Sequence, residues 1–295
     1  MTERALLQWP RSILLATNLT SRADRAFDRA AQLAKTWHAD LHILHAVDAP
    51  APSVPFGVDA QKYLQNRADP RSDALRQLRQ LVDNAGASAQ VHIEDIPPAE
   101  AALAVAERES CDLIVLGETR ERLVGPWEST VEEVVRKSPV SVLAVRNRPH
   151  GPYRRLVVGT DFTDEARQAL TASASLFPEA GLTLIHAYQM PYAGFLKSTP
   201  EGRAWVADQR EQLRAQLQAT SLPAARKELV RMVVDAGPPA AVLRSYIMKE
   251  GGDLTVIGAH RRGILFDAIV GSSRLIVDAV PGDILVVRAG RAETQ

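Results

Sequence analysis

Disulfides are excluded at the outset. The chain has one cysteine, Cys111, and a single thiol closes no bridge within a chain. Cys111 stands at the start of an apolar strand, where a buried spectator is expected. Neither charge sign is in excess: 35 basic residues balance 35 acidic ones. No net field therefore draws the chain to nucleic acid or to an anionic membrane. Aromatics are few, and the tryptophans Trp9, Trp37, Trp127 and Trp205 are scattered, so no stacking platform for single strands is visible. No apolar run approaches the roughly 20 residues that span a bilayer. The opening MTERALLQWPRS lacks the apolar centre of a signal peptide, and a cytoplasmic location is expected.

Chemical motifs are missing as well. There is no Gly-x-x-x-x-Gly-Lys-Ser/Thr loop, no Gly-x-Gly-x-x-Gly after a first strand and no Gly-x-Ser-x-Gly elbow. His-Glu-x-x-His, paired cysteines and an EF-hand loop are absent. No catalytic residue and no metal ligand are assigned. His42, His45 and His186 lie in or at the ends of expected strands, where packed, hydrogen-bonded imidazoles are expected rather than ligands or bases.

What is present is a repeat. Ile13–Thr20 (ILLATNLT) matches Leu156–Thr163 (LVVGTDFT), 143 positions on. Leu41–Ala46 matches Leu182–Ala187, Asp95–Ala99 matches Ala236–Ala240, and Asp112–Gly117 matches Asp253–Gly258, each 141 positions on. Val142–Arg146 matches Ile284–Arg288 at 142. Ordered blocks at near-constant spacing identify an internal duplication. The joint falls in the Pro/Gly-containing stretch Asn147–Pro152, giving domains 1–148 and 149–295.

Each half alternates short β-branched runs with helical spacing. In the first, strands are expected at Ile13–Thr17, Leu41–Val47, Val91–Ile93, Leu113–Leu116 and Ser141–Val145. Helices fall between them: one capped by Thr20 or Ser21, one over Ser72–Asn84, one over Ala99–Glu109 and one around Val131–Arg136. This alternation predicts α/β architecture: two doubly wound domains, each a five-stranded parallel sheet with helices on both faces. In strand order 3-2-1-4-5, ligands sit beyond the carboxyl ends of strands 1 and 4. Asp161 ends strand 1 of the second half and Gly258 ends strand 4. The stretch Gly271-Ser272-Ser273 opens a helix whose free N–H groups suit an anion. Ordinary readings stand beside these: Asp161 also suits an Asx turn, and Gly-Ser at a helix start is common capping. The first half has Asn18 in place of the aspartate and Glu128-Ser129 in place of Gly271-Ser272. A carboxylate at that helix start repels phosphate, so no nucleotide is expected there.

These residues resemble the universal stress protein family in its tandem form, over nearly the whole chain. Nucleotide-binding members carry Gly-x-x-Gly, nine residues, then Gly-Ser or Gly-Thr. Gly258 and Gly271-Ser272 match, and Arg261 stands at the second glycine. There it either blocks the crevice or swings out to a phosphate. Gly159–Ala166 is similar to the family's first strand and turn, whose aspartate contacts adenine. Ala187 falls where a backbone group lies beside the base. The resemblance implies ATP or AMP, with its accompanying magnesium, bound in the second half by Asp161, Ala187, Ile257, Gly258, Arg261, Gly271, Ser272 and Ser273. The expected role is a stress-response protein that binds rather than turns over. The alternatives are a nucleotide-free module with a protein partner not readable from the sequence, and a slow ATPase resting on fold analogy alone. Single-domain relatives pair through the last strand, so the halves are expected to mimic a dimer through Val142–Val145 and Ile284–Val287.

Overall fold

The structure, a computed structural model, describes residues 10–20, 23–47, 69–117, 130–188, 199–259 and 280–288. They form two compact units. One is Pro10–Lys137, and the other takes the described residues from Ser138 onward.

In the first unit, β1 (Ser12–Ala16), β2 (Asp40–Ala46), β3 (Gln90–Glu94) and β4 (Leu113–Gly117) are joined through α1 (Asp24–Trp37), α2 (Pro70–Asn84) and α3 (Pro98–Arg108). α4 (Thr130–Lys137) closes the unit. The strands are parallel, in the order β3-β2-β1-β4. Ile13, Leu14, Leu15, Ile114 and Val115 are fully buried. Neighbouring residues on a strand face opposite ways, so unbroken burial means both faces are covered, which the continuous apolar runs anticipate.

The second unit holds β5 (Ser141–Val145), β6 (Arg155–Thr160), α5 (Asp164–Leu176), β7 (Gly181–Tyr188), α6 (Pro200–Gln218) and α7 (Ala224–Glu228). β8 (Arg231–Ala236), α8 (Pro239–Glu250), β9 (Leu254–Ala259) and β10 (Asp283–Arg288) complete it. The order is β5-β10-β9-β6-β7-β8. Strands β6 to β10, the second repeat, thus follow the expected 3-2-1-4-5 pattern and are parallel. β5, the last strand of the first repeat, lies antiparallel against β10.

That β5–β10 pair has local two-fold character. Leu143 faces its own repeat equivalent, Leu285, while Ala144 faces Ile284 and Val142 faces Val286. The ends match too. Ser141 Oγ accepts a hydrogen bond from the Arg288 amide at 3.1 Å, and its equivalent, Asp283, accepts one from the Arg146 amide at 2.8 Å. An isologous contact of this kind is what a symmetric dimer strand pair looks like.

Other polar devices are copied between repeats. Asp112 Oδ2 accepts the amides of Arg11 and Ser12 at 2.7 and 3.2 Å. Asp253 Oδ2 accepts those of Arg154 and Arg155, both at 2.9 Å. Each carboxylate pins the start of the first strand of its repeat to the start of the fourth. Cys111 is buried, accepts a hydrogen bond from Ser12 Oγ at 3.3 Å, and has its thiol pKa raised by burial first.

One expectation fails at α1. Thr20 does not cap it: the N-cap is Ala23, with no side-chain cap. The reason lies next door, where the Thr20 hydroxyl is spent on Asn18 Oδ1 at 2.8 Å; Ser21 lies outside the described residues. The matching helix α5 does carry a cap, Thr163, whose Oγ1 accepts the Ala166 amide at 3.3 Å. Thr163→Ala is expected to lower stability by about 1 kcal/mol, read from urea unfolding.

Candidate functional site

In the second unit the strand order reverses between β6 and β9. They pair with Leu156 beside Leu254, Val157 beside Thr255 and Val158 beside Val256. Asp161 follows β6 directly, and Gly258 is the penultimate residue of β9. Both therefore stand at the carboxyl edge of adjacent parallel strands, the place where such sheets take ligands.

The turn after β6 is tightly specified. Thr160 Oγ1 accepts the Phe162 amide at 3.1 Å, and Asp161 Oδ1 accepts both the amide and the hydroxyl of Thr163, at 3.2 and 2.5 Å. These bonds hold Phe162 at a φ of 67°, a left-handed conformation that a bulky residue adopts only when its surroundings enforce it. The Phe162 ring lies against His186, centroids 4.1 Å apart. His186 Nδ1 is 2.9 Å from the Thr160 carbonyl oxygen. Since a carbonyl only accepts, Nδ1 carries the proton. Gln216 on α6 ties the turn from above: it accepts from Thr160 Oγ1 at 2.6 Å and donates to the Thr163 carbonyl at 3.2 Å.

Asp161 is thus the Asx-turn residue, with Oδ1 engaged. It is exposed, and Oδ2 accepts no hydrogen bond among the described residues. Ala187, half-buried on β7, sits beside Asp235 of β8. Ile257 is buried on β9, its side chain turned toward Gly159 and away from solvent. Tyr188, next to Ala187, packs edge-on against Trp205 of α6, centroids 4.9 Å apart.

Gly258 departs from expectation in its place on the strand. It lies within β9 rather than ending it, and its φ is not in the left-handed region. The close neighbour it admits is the first turn of α5. A Cβ at 258 would overlap the Glu165 carbonyl group and lie 2.7 Å from the Ala166 nitrogen. Its missing side chain lets α5, and with it the Asp161 turn, sit against β9. Arg261, Gly271, Ser272 and Ser273, with the helix expected after them, lie outside the described residues.

The first unit builds the same turn on different chemistry. Thr17 Oγ1 accepts the Leu19 amide at 3.1 Å, and Asn18 Oδ1 accepts from Thr20 at 3.2 and 2.8 Å. Leu19 has a φ of 57°, and His45 Nδ1 reaches the Thr17 carbonyl at 2.9 Å. The remaining group differs: an amide NH2 at Asn18, an oxygen acceptor at Asp161. The histidines at 45 and 186 are, as expected, hydrogen-bonded packing residues. Gln216 and Phe162 were not foreseen. Phe162 is marked in the sequence only by its place in the repeat, and Gln216 by nothing, since its partners lie more than 50 residues away.

The sequence profile of the universal stress protein family matches residues 10–146 and again residues 152–288. The chain belongs to the universal stress protein family. It has the tandem form, with both copies recognisable. Two solved structures match along their length. A chain of Pseudomonas aeruginosa UCBPP-PA14 assigned to the universal stress proteins is 20% identical, with 96% of this chain and 94% of that one covered and a TM-score of 0.64. A universal stress protein of Archaeoglobus fulgidus DSM 4304 is 18% identical over 96% of this chain and 98% of that one, with a TM-score of 0.62. A universal stress protein solved in complex with cAMP is 23% identical over 48% of this chain and 99% of its own, at a TM-score of 0.37. No curated protein matches. Among the described residues no helix is long and apolar enough to cross a membrane.

Proposed function

We propose that this universal stress protein binds an adenine nucleotide, ATP or AMP, in its second repeat and acts by binding rather than by turnover. The observation that carries the reading is the Asp161 carboxylate. One oxygen satisfies the turn, and the other is left as an acceptor at the strand-order reversal. An adenine amino group is a donor and needs such an acceptor. The Ala187 backbone, Ile257 and Gly258 would flank the base. Gly271, Ser272 and Ser273 would offer N–H groups to the phosphates, Arg261 would pair with them, and a magnesium ion would accompany the triphosphate. Asn18 presents a donor where an acceptor is needed, so the first repeat is not a second site.

Asp161→Asn separates function from fold. Asn18 shows that an asparagine supports the same turn, so stability is expected to stay within about 0.5 kcal/mol of the parent. Adenine-nucleotide affinity is expected to fall about tenfold or more, the value of a hydrogen bond to a charged acceptor. Calorimetry with ATP, AMP and cAMP on both proteins reads this. No heat with any of the three overturns the proposal and leaves a nucleotide-free interaction module; equal affinity in the variant overturns the role given to the Asp161 carboxylate.

A further inference from the structure

On the first unit, three side chains with metal-ligating chemistry converge. His42 on β2 and His92 on β3 share one face of the sheet, since Leu44, two residues beyond His42, stands beside His92 and alternate residues point the same way. Their rings stack at 5.3 Å and 24°, and His42 Nδ1 is 3.1 Å from His92 Nε2. Glu109, just past the end of α3, completes the group: each residue brings one ligand atom within 4.8 Å of the other two. Two imidazole nitrogens on one tetrahedral zinc ion lie about 3.3 Å apart, given bonds of about 2.0–2.1 Å, close to the spacing found here.

We propose that His42, His92 and Glu109 form a binding site for a borderline divalent metal ion of the zinc class. Two neutral imidazoles and one carboxylate suit that ion better than calcium or magnesium, which prefer all-oxygen sets. His42 is buried and fixed, while His92 and Glu109, with 13% and 25% of their side chains exposed, leave a way in. The His92 pKa is lowered, by burial first, with the Glu109 and Glu94 charges opposing and His42 and Arg108 adding to it. Arg108 supplies the local positive charge: it donates to Glu109 at 3.1 Å and to Glu94 at 2.8 Å, and it stands 3.4 Å from His92 Nδ1. Its side chain is half exposed, so it can stay on Glu94 while Glu109 turns to the metal. The second repeat has Thr183 and Val233 at the two histidine positions, so the scaffold does not require the pair.

The test titrates the full chain with Co2+, then displaces it with Zn2+. One equivalent of cobalt is expected to give visible d–d absorption that zinc abolishes. His92→Val, the residue of the other repeat, should remove it. Glu109→Gln should weaken binding by at least the roughly ten- to hundredfold that losing an outer partner of a ligand costs, and Arg108→Gln should strengthen it, which a purely structural cluster would not show. Absence of absorption in the parent, or an unchanged isotherm in His92→Val, overturns the site. Should His92→Val fail to fold, the Glu109→Gln and Arg108→Gln isotherms decide: unchanged affinity in both overturns it.

Discussion

Asp283→Ala is expected to lose about 3–5 kcal/mol of stability, among the largest effects of any single polar substitution in the second unit. The carboxylate is 1% exposed, and its acceptor capacity is heavily used. Oδ1 takes the amides of Arg146 and Asn147 at 2.8 and 2.9 Å, and Oδ2 takes the Tyr153 hydroxyl at 2.6 Å. Alanine leaves three buried or part-buried donors without that acceptor, and an unsatisfied donor costs about 1–3 kcal/mol. The same segment is held from the other side, because the Arg146 guanidinium donates to the Val280 carbonyl at 2.6 Å. Asp283 therefore ties the stretch joining the repeats to the first residue of β10. Tyr153→Phe removes one donor and keeps the ring on Phe177, centroids 5.4 Å apart, so its expected cost is about 1 kcal/mol. Urea unfolding of both variants reads the ratio. A loss below about 1 kcal/mol for Asp283→Ala would mean that water replaces the carboxylate and that the joint is not a stability determinant.

Asp283 also shows where reading from sequence stops. The duplication gave the strand order, because an alternating βα pattern with right-handed crossovers permits few sheets. The partner of β10 came instead from the family resemblance, which implies pairing through the last strand as in single-domain relatives. Neither gave Asp283 a role. Its equivalent is Ser141, and the need for a buried acid there follows from donors more than 100 residues away. The same limit applies at the candidate site. Asp161 and Gly258 were legible, one from the repeat and one from the glycine after an apolar run. The purpose of Gly258 was not. Local sequence suggests a sharp turn or a close ligand, while the packing puts α5 against it. His42 was read correctly as packed and hydrogen-bonded, but its partner is a histidine 50 positions on, visible only once β2 and β3 lie side by side.

Gly258→Ala is expected to lose about 3 kcal/mol or more and to lose nucleotide binding with it. A methyl at 258 meets backbone, at Glu165 and Ala166, and backbone in the first turn of a helix cannot rotate aside as a side-chain tip can. Either α5 moves off β9 or the strand bends, and overpacking of this kind costs about 1–3 kcal/mol where side chains yield and more where they cannot. Gly159→Ala is the matched control. It lies on the neighbouring strand, and its added methyl meets only the side chains of Ile257 and Leu243, at 3.5 Å, so a change within about 1 kcal/mol is expected. Since α5 begins three residues after Asp161, any shift of the helix carries the carboxylate with it. Asp161→Asn should therefore weaken binding about tenfold or more with stability intact, and Gly258→Ala should lower both together. If Gly258→Ala were as stable as Gly159→Ala, α5 would have to slide on the sheet without cost. The position of Asp161 would then be set by its own turn and by Gln216 rather than by the fit of helix to strand.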